Sequence, residues 1–135
     1  MYLLDTNVIS AVRRPDRAPR VVAWLQGKAE AELFLSVITL GEIERGIRGQ
    51  ERINPAFAAD LRTWVDRTVR LFSDRLLPFG AEEARIWGRL SQDIGHGGAD
   101  LMIAATALAS GATVVTGNVE DFRPTGVAME NPFQA

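Results

Sequence analysis

A chain of 135 residues fits one domain of the usual ~100–200 residues and can bury a core without disulfides or a structural metal. It holds no cysteine, which excludes disulfide frameworks, cysteine–zinc sites and thiol catalysis and agrees with a cytoplasmic location. The formal net charge of −2 speaks against a nucleic-acid binder that works by bulk charge, although every basic residue except Lys28 is arginine, the side chain suited to bidentate phosphate contacts. Asp5 and the arginines that follow interrupt the first apolar run, so no signal peptide is expected. The longest apolar candidate, Leu101 to Ala109, is about half the ~20 residues a membrane span needs, so no membrane association is expected.

In chain order, Tyr2-Leu3-Leu4 reads as a short buried strand ending at Asp5, and Thr6 to Val12 as a helix broken by Arg13-Arg14-Pro15-Asp16. Pro19 to Gly27 is a short helix, and Leu33-Phe34-Leu35 a second strand. Ser36 and Thr39 are candidate caps for a helix over Ile38 to Ile47. Asn54-Pro55 opens a long helix whose stripe runs Phe57, Leu61, Trp64, Val65, Val69 and Phe72. That stripe is expected to pack on the core and can also serve a partner.

Leu76 to Phe79 reads as a third strand, and Ala81 to Ile94 as an amphipathic helix with Ala84, Trp87 and Leu90 inward. Gly95-His96-Gly97-Gly98 is a loop, Ala99 to Ser110 a helix apolar on nearly every side, and Gly111 its terminating glycine. Thr113 to Thr116 is a fourth strand, Gly117 to Arg123 a turn-rich loop, and a last strand is expected near Val127 to Met129. Helical crossovers between strands imply an α/β fold with a mainly parallel sheet. Such sheets bind ligands beyond the C-terminal ends of their strands.

That rule singles out four of the 17 acids. Asp5 follows the first strand, Glu42 lies on the helix after the second, Asp100 begins the most apolar helix, and Asp121 lies past the fourth strand. Each has an ordinary explanation alone: a cap, a favourable helix dipole or a turn. Four coincidences together are a much weaker account. Glu42 and Glu44, two positions apart, point in different directions. Glu44 has Arg48 four residues on as a surface partner, whereas Glu42 has Gly46 there, which leaves room for an ion or a substrate.

Clustered carboxylates repel one another unless a cation sits among them. Oxygen-only ligands suit hard ions, magnesium (Mg2+) or manganese (Mn2+). Such an ion can activate water and stabilise phosphate charge, so phosphodiester cleavage is open to a site without histidine, cysteine or lysine. The single histidine, His96, weighs against a histidine-pair ribonuclease and reads as a loop residue. Its glycine-rich loop lacks the lysine and hydroxyl residue of a phosphate-binding loop.

The segments Leu3-Leu4-Asp5-Thr6-Asn7-Val8-Ile9-Ser10, Leu35 to Ile47, Ala99 to Ala107 and Val115 to Phe122 resemble, in order and spacing, the four acidic motifs of PIN-domain proteins. The likeness is nearest to the VapC and FitB-like branch, the toxin ribonucleases of toxin–antitoxin pairs, and covers essentially the whole chain. The resemblance implies a single PIN domain over residues 1–135, with a three-layer α/β/α sandwich. It implies Asp5, Glu42 and Asp100 as the core catalytic and metal-binding acids and Asp121 as the fourth. Thr6 would support the first acid, and Thr116 or Asn118 would share the role of the fourth. Gly117 stands where many relatives carry arginine.

The resemblance further implies metal-dependent endoribonuclease activity, in which water hydrolyses RNA to a 5′-phosphate and a 3′-hydroxyl. It implies a homodimer and a small VapB-like antitoxin, through which alone the chain would meet DNA. Arg13, Arg14, Arg17, Arg45 and Arg48 flank the motifs as candidate RNA contacts, with an ordinary charged surface the competing reading. Two rival functions stand beside this one. The first is a non-catalytic PIN-like module that binds an antitoxin and operator DNA. The second is a phosphatase with Asp5 as nucleophile, a chemistry that usually wants an aspartate where this chain has Asn7.

Overall fold

The computed structural model describes residues 1–134. Five strands, β1 (Tyr2–Leu4), β2 (Leu33–Ser36), β3 (Leu76–Leu77), β4 (Thr113–Val115) and β5 (Met129–Glu130), form one sheet in the order β3-β2-β1-β4-β5. All four pairings are parallel, with Leu3 opposite Phe34 and Val114, and Leu4 opposite Val115. A parallel sheet needs crossovers, and seven helices supply them: α1 (Thr6–Val12), α2 (Pro19–Gln26), α3 (Val37–Ile53), α4 (Pro55–Leu71), α5 (Ala81–Ile94), α6 (Ala99–Ser110) and α7 (Val119–Phe122). The chain winds outward on one side of β1 through β2 and β3, then returns to the other side for β4 and β5. The topological switch therefore lies between β1 and β4, where ligand crevices form in open α/β sheets.

The period-two alternation of the strands divides the core between the two sheet faces. Leu4, Leu35 and Val115 join Val8, Ile9, Ile43, Ile47 and Val65 from α1, α3 and α4 in one cluster. Leu3 and Val114 join Ile103, Ala104 and Ala107 of α6 and Phe122 of α7 in the other. This is the α/β/α sandwich with a parallel sheet that the strand–helix alternation implies.

Local signals set most boundaries. The Ser36 hydroxyl accepts from the Ile38 N–H at 3.0 Å and starts α3. The Asn54 side chain accepts from the Phe57 N–H at 3.1 Å, with Pro55 in the first turn of α4. Gly111 ends α6 at φ 68°, a left-handed turn open to glycine without strain. Several expectations are corrected. Thr39 lies inside α3 rather than capping it, and α3 continues past Ile47 to Ile53. Ala84 faces outward, because α5 turns Ile86, Trp87 and Leu90 toward the molecule instead. The loop after β4 contains α7, and β3 and β5 are two residues each. No helix among the described residues is long and apolar enough to cross a membrane.

Arg75, at 8% exposure, fastens the outer half of the sheet. Its guanidinium donates to the carbonyl oxygens of Glu30 (2.7 Å), Leu33 (2.9 Å) and Leu71 (2.8 Å). It also lies over the Phe72 ring, 4.6 Å from its centroid. One planar fork thus joins the end of α4, the turn before β2 and the start of β3, a task that lysine's single ammonium cannot match. Arg75→Lys is expected to lower stability by about 2–4 kcal/mol, since buried carbonyls lose their donors. The midpoint of urea unfolding measures it, and an unchanged midpoint would make the fork incidental.

Candidate active site

Asp5 stands at the C-terminal end of the central strand, beside the switch point, and is 2% exposed. Its backbone N–H continues the ladder to the Val115 carbonyl at 2.9 Å. Both carboxylate oxygens are engaged: Oδ1 accepts from the Thr6 N–H at 2.8 Å and Oδ2 from the Thr116 hydroxyl at 2.7 Å. The Thr116 oxygen itself accepts from the Asn118 N–H at 2.9 Å, so the loop after β4 holds the hydroxyl that holds Asp5. Burial nonetheless raises the Asp5 pKa from 3.8 to about 6, the two hydrogen bonds opposing the shift and the charges of Asp100 and Glu42 adding to it.

Glu42 arrives from α3, one layer away. Its Oε1 accepts from the Thr6 hydroxyl at 2.6 Å, and the Thr39 hydroxyl lies 3.2 Å from the same oxygen of Thr6. Thr6 therefore ties Asp5 through its backbone and Glu42 through its side chain. Thr39, read from sequence as a cap, is instead a buried member of this network. Its only sequence signal is its position one helical turn before Glu42.

Asp100 occupies the first turn of α6, which follows a helix and a loop rather than a strand. It reaches the crevice because α6 packs beneath β1 and β4 with its N-terminus at their C-terminal edge. Burial raises its pKa, reinforced by Asp121 and Glu42, while His96 works in the opposite direction. Asp121 sits exposed on α7. All four acids are thus linked through mutual repulsion, centred on Asp5 and Asp100. Glu44 is outside this set; it accepts from Arg62 of α4 at 2.7 Å, not from Arg48, which binds Glu51 at 2.6 Å.

Repelling, part-buried carboxylates fit a divalent cation, which restores their charged forms. Asn7 Oδ1, two residues beyond Asp5, is a buried acceptor without a donor, consistent with a hydrated ion nearby. Among the described residues no three acids or histidines close into a ready-made cation cage. Magnesium suits such an open set, because it retains several waters and uses only one or two carboxylates.

Of the candidate RNA-contacting arginines, Arg13 is placed best. It lines a groove of about 250 Å³ with Thr6, Glu42, Phe57 and Trp64, and its guanidinium lies 5.0 Å from the Phe57 ring centroid. Arg14, Arg17 and Arg45 are exposed, and Arg48 is paired with Glu51. His96, in the loop before α6, accepts from the Gly98 N–H through Nδ1 at 3.2 Å.

Asp5 carries a direct stability signature. Its pKa is higher folded, about 6, than the 3.8 of the free side chain, so the folded state binds the extra proton between those values. Stability therefore falls as pH rises from 4 through 6, by about 3 kcal/mol once the carboxylate is ionised. Asp5→Asn removes this penalty. In chelator, the variant is expected to melt with wild type at pH 4 and above it at pH 7.5. A variant melting below wild type at pH 7.5 would show that the ionised carboxylate is well solvated.

A PIN domain family profile matches residues 2–126. The chain is 37% identical over 139 aligned positions to the toxin FitB of Neisseria gonorrhoeae, covering 98% of this chain and 99% of FitB. It is 49% identical over 72 residues to ribonuclease VapC14 of Mycobacterium tuberculosis, covering 53% of this chain and 70% of VapC14. The crystal structure of FitAcB from N. gonorrhoeae superposes with a TM-score of 0.87 at 35% identity over the full length of both chains. With the sheet order, the switch-point aspartate and the four motif acids in hand, these matches make the chain a member of the PIN-domain family, in its VapC and FitB-like branch.

Proposed function

We propose that this chain is the endoribonuclease toxin of a toxin–antitoxin pair and that residues 1–135 act as a single PIN domain. The observation that carries the reading is Asp5: a buried carboxylate at the switch point, oriented through both oxygens, with three further acids raising the local negative charge. A surface ion-pair role does not account for it, since among the described residues no basic side chain bonds to Asp5. The toxin FitB and ribonuclease VapC14, by their names, support the activity.

Asp5, Glu42, Asp100 and Asp121 would hold Mg2+, or Mn2+ in its place, one or two of them directly and the others through the ion's waters. Such an ion supplies a Lewis acid for a phosphoryl oxygen and lowers the pKa of a water. The chain's own part is positional. The Thr116 hydroxyl and Thr6 N–H fix the Asp5 carboxylate plane, and the Thr6 hydroxyl fixes Glu42 in relation to it. Ionised acids on the crevice wall can accept a proton from the attacking water. Arg13, on the groove beside Glu42, is placed to meet a phosphate of the RNA backbone.

The same groove, apolar at Phe57 and Trp64 and acidic at Glu42, suits the C-terminal segment of a small VapB-like antitoxin. Such a partner would bring the chain to operator DNA, and a homodimer is part of this reading. The phosphatase alternative is disfavoured, because both Asp5 oxygens accept hydrogen bonds and residue 7 is Asn7 rather than a second aspartate. A purely DNA-anchoring module leaves the strained acid cluster without a purpose.

The antitoxin-free chain is expected to cut a mixed structured RNA pool at discrete sites with magnesium or manganese and not with chelator. Asp5→Asn and Asp100→Asn should each lose at least ~100-fold in rate, the scale for removing a group that stabilises transition-state charge. Cleavage by either variant at the wild-type rate, or cleavage undiminished by chelator, would overturn the mechanism.

A further inference from the structure

The C-terminal segment returns to the site through β5. Thr116 N–H, beside β4, donates to the Glu130 carbonyl at 3.0 Å, so β5 runs directly alongside the strand whose end holds Asp5. Beyond β5, Asn131 Oδ1 accepts from the Phe133 N–H at 2.9 Å, and Pro132 is buried. This turn delivers the Phe133 ring onto Gly117.

The fit there is close. A Cβ at position 117 would lie 2.8 Å and 3.0 Å from Phe133 Cδ2 and Cε2, and 3.4 Å from Asn7 Nδ2. Positive φ occurs at Gly95, Gly111 and Gly126 but not at Gly117. Gly117 is therefore required by the seated ring, not by the backbone. Phe133 remains 36% exposed and is the only aromatic among the exposed large hydrophobic residues of the described chain. Its two neighbours bracket the acidic centre: Gly117 follows Thr116, whose hydroxyl holds Asp5, and Asn7 lies two residues past Asp5.

We infer that Phe133, seated on Gly117, is a stacking platform for an unpaired base of the RNA next to the scissile phosphate. The inference rests on the nuclease reading above and adds a substrate-binding residue to it. A π face at the rim of a carboxylate site attracts what phosphate-binding groups cannot hold. Bases stack on aromatic rings irrespective of sequence, whereas carboxylates offer the phosphate backbone no direct attraction. The ring is tethered at its own backbone by the Asn131 turn and so loses little freedom on binding.

The test uses the full chain carrying Asp100→Asn, with magnesium, and short single-stranded oligoribonucleotides containing 2-aminopurine at successive positions. Stacking should quench the fluorescence at one position. Phe133→Leu keeps an apolar cover over Gly117 without a π face and should abolish that quench, with binding about tenfold weaker. Phe133→Trp should restore both. Gly117→Ala keeps the ring but pushes it off its seat, and should weaken binding in the same direction, with the thermal melt of each variant as a check on folding. In the chain with Asp100 intact, Phe133→Leu should lower kcat/KM by about the same factor. Leucine binding, quenching and cutting as well as phenylalanine would overturn the platform and leave the nuclease standing. So would a wild-type residue 133 that quenches no position, or a Phe133 whose loss weakens only binding of an antitoxin. If the unsubstituted chain neither binds nor cuts any RNA, the nuclease reading fails and the platform falls with it.

Discussion

The arrangement depends on one unfavourable placement: a carboxylate buried at the end of the central strand of a parallel sheet. Asp5 lies where the backbone ladder of β1 stops and where two neighbouring strand ends point into a common crevice. A charge there is costly unless hydrogen bonds or a cation compensate it. Two hydrogen bonds do so in part, and the pKa nonetheless rises to about 6. The residual strain makes the site receptive to a divalent ion.

Much of the surrounding structure can be understood as support for that carboxylate. Thr116 restrains Oδ2, and Asn118 restrains Thr116 through its backbone. Thr6 couples Asp5 to Glu42, and Thr39 buttresses Thr6 from inside α3. The threonines keep their hydroxyls in place because β-branched side chains have few rotamers. The result couples three elements distant in sequence, α1, α3 and the β4 end, through hydroxyls, carboxylates and two backbone N–H groups. Packing supplies the rigidity: α6 is buried along most of its length and carries Asp100 to the same edge from the opposite layer.

Elsewhere the fold uses arginine for structure as well as for recognition. Arg75 is buried among backbone carbonyls and Arg62 bridges α4 to Glu44 of α3, so these two arginines serve the fold. Arg13 is the exception among the motif-flanking arginines, because α1 turns it into the groove that also holds Glu42. Charge counted along the chain says little about this, since the side chain's surroundings decide its task.

By itself the sequence determined the α/β alternation, the parallel sheet and the identities of the motif acids. Each is written locally: a strand that stops at Asp5, a serine cap before α3, the glycine after α6, and an unbroken apolar run behind Asp100. Tertiary structure alone decided which hydroxyls hold those acids, that Thr39 is a buttress and not a cap, that Glu44 meets Arg62, and that Phe133 rests on Gly117. Those pairings join residues 16 to 111 positions apart by subtraction of their numbers. No periodicity records such a distance; it exists only once the strands have set their register and the helices have closed over the sheet.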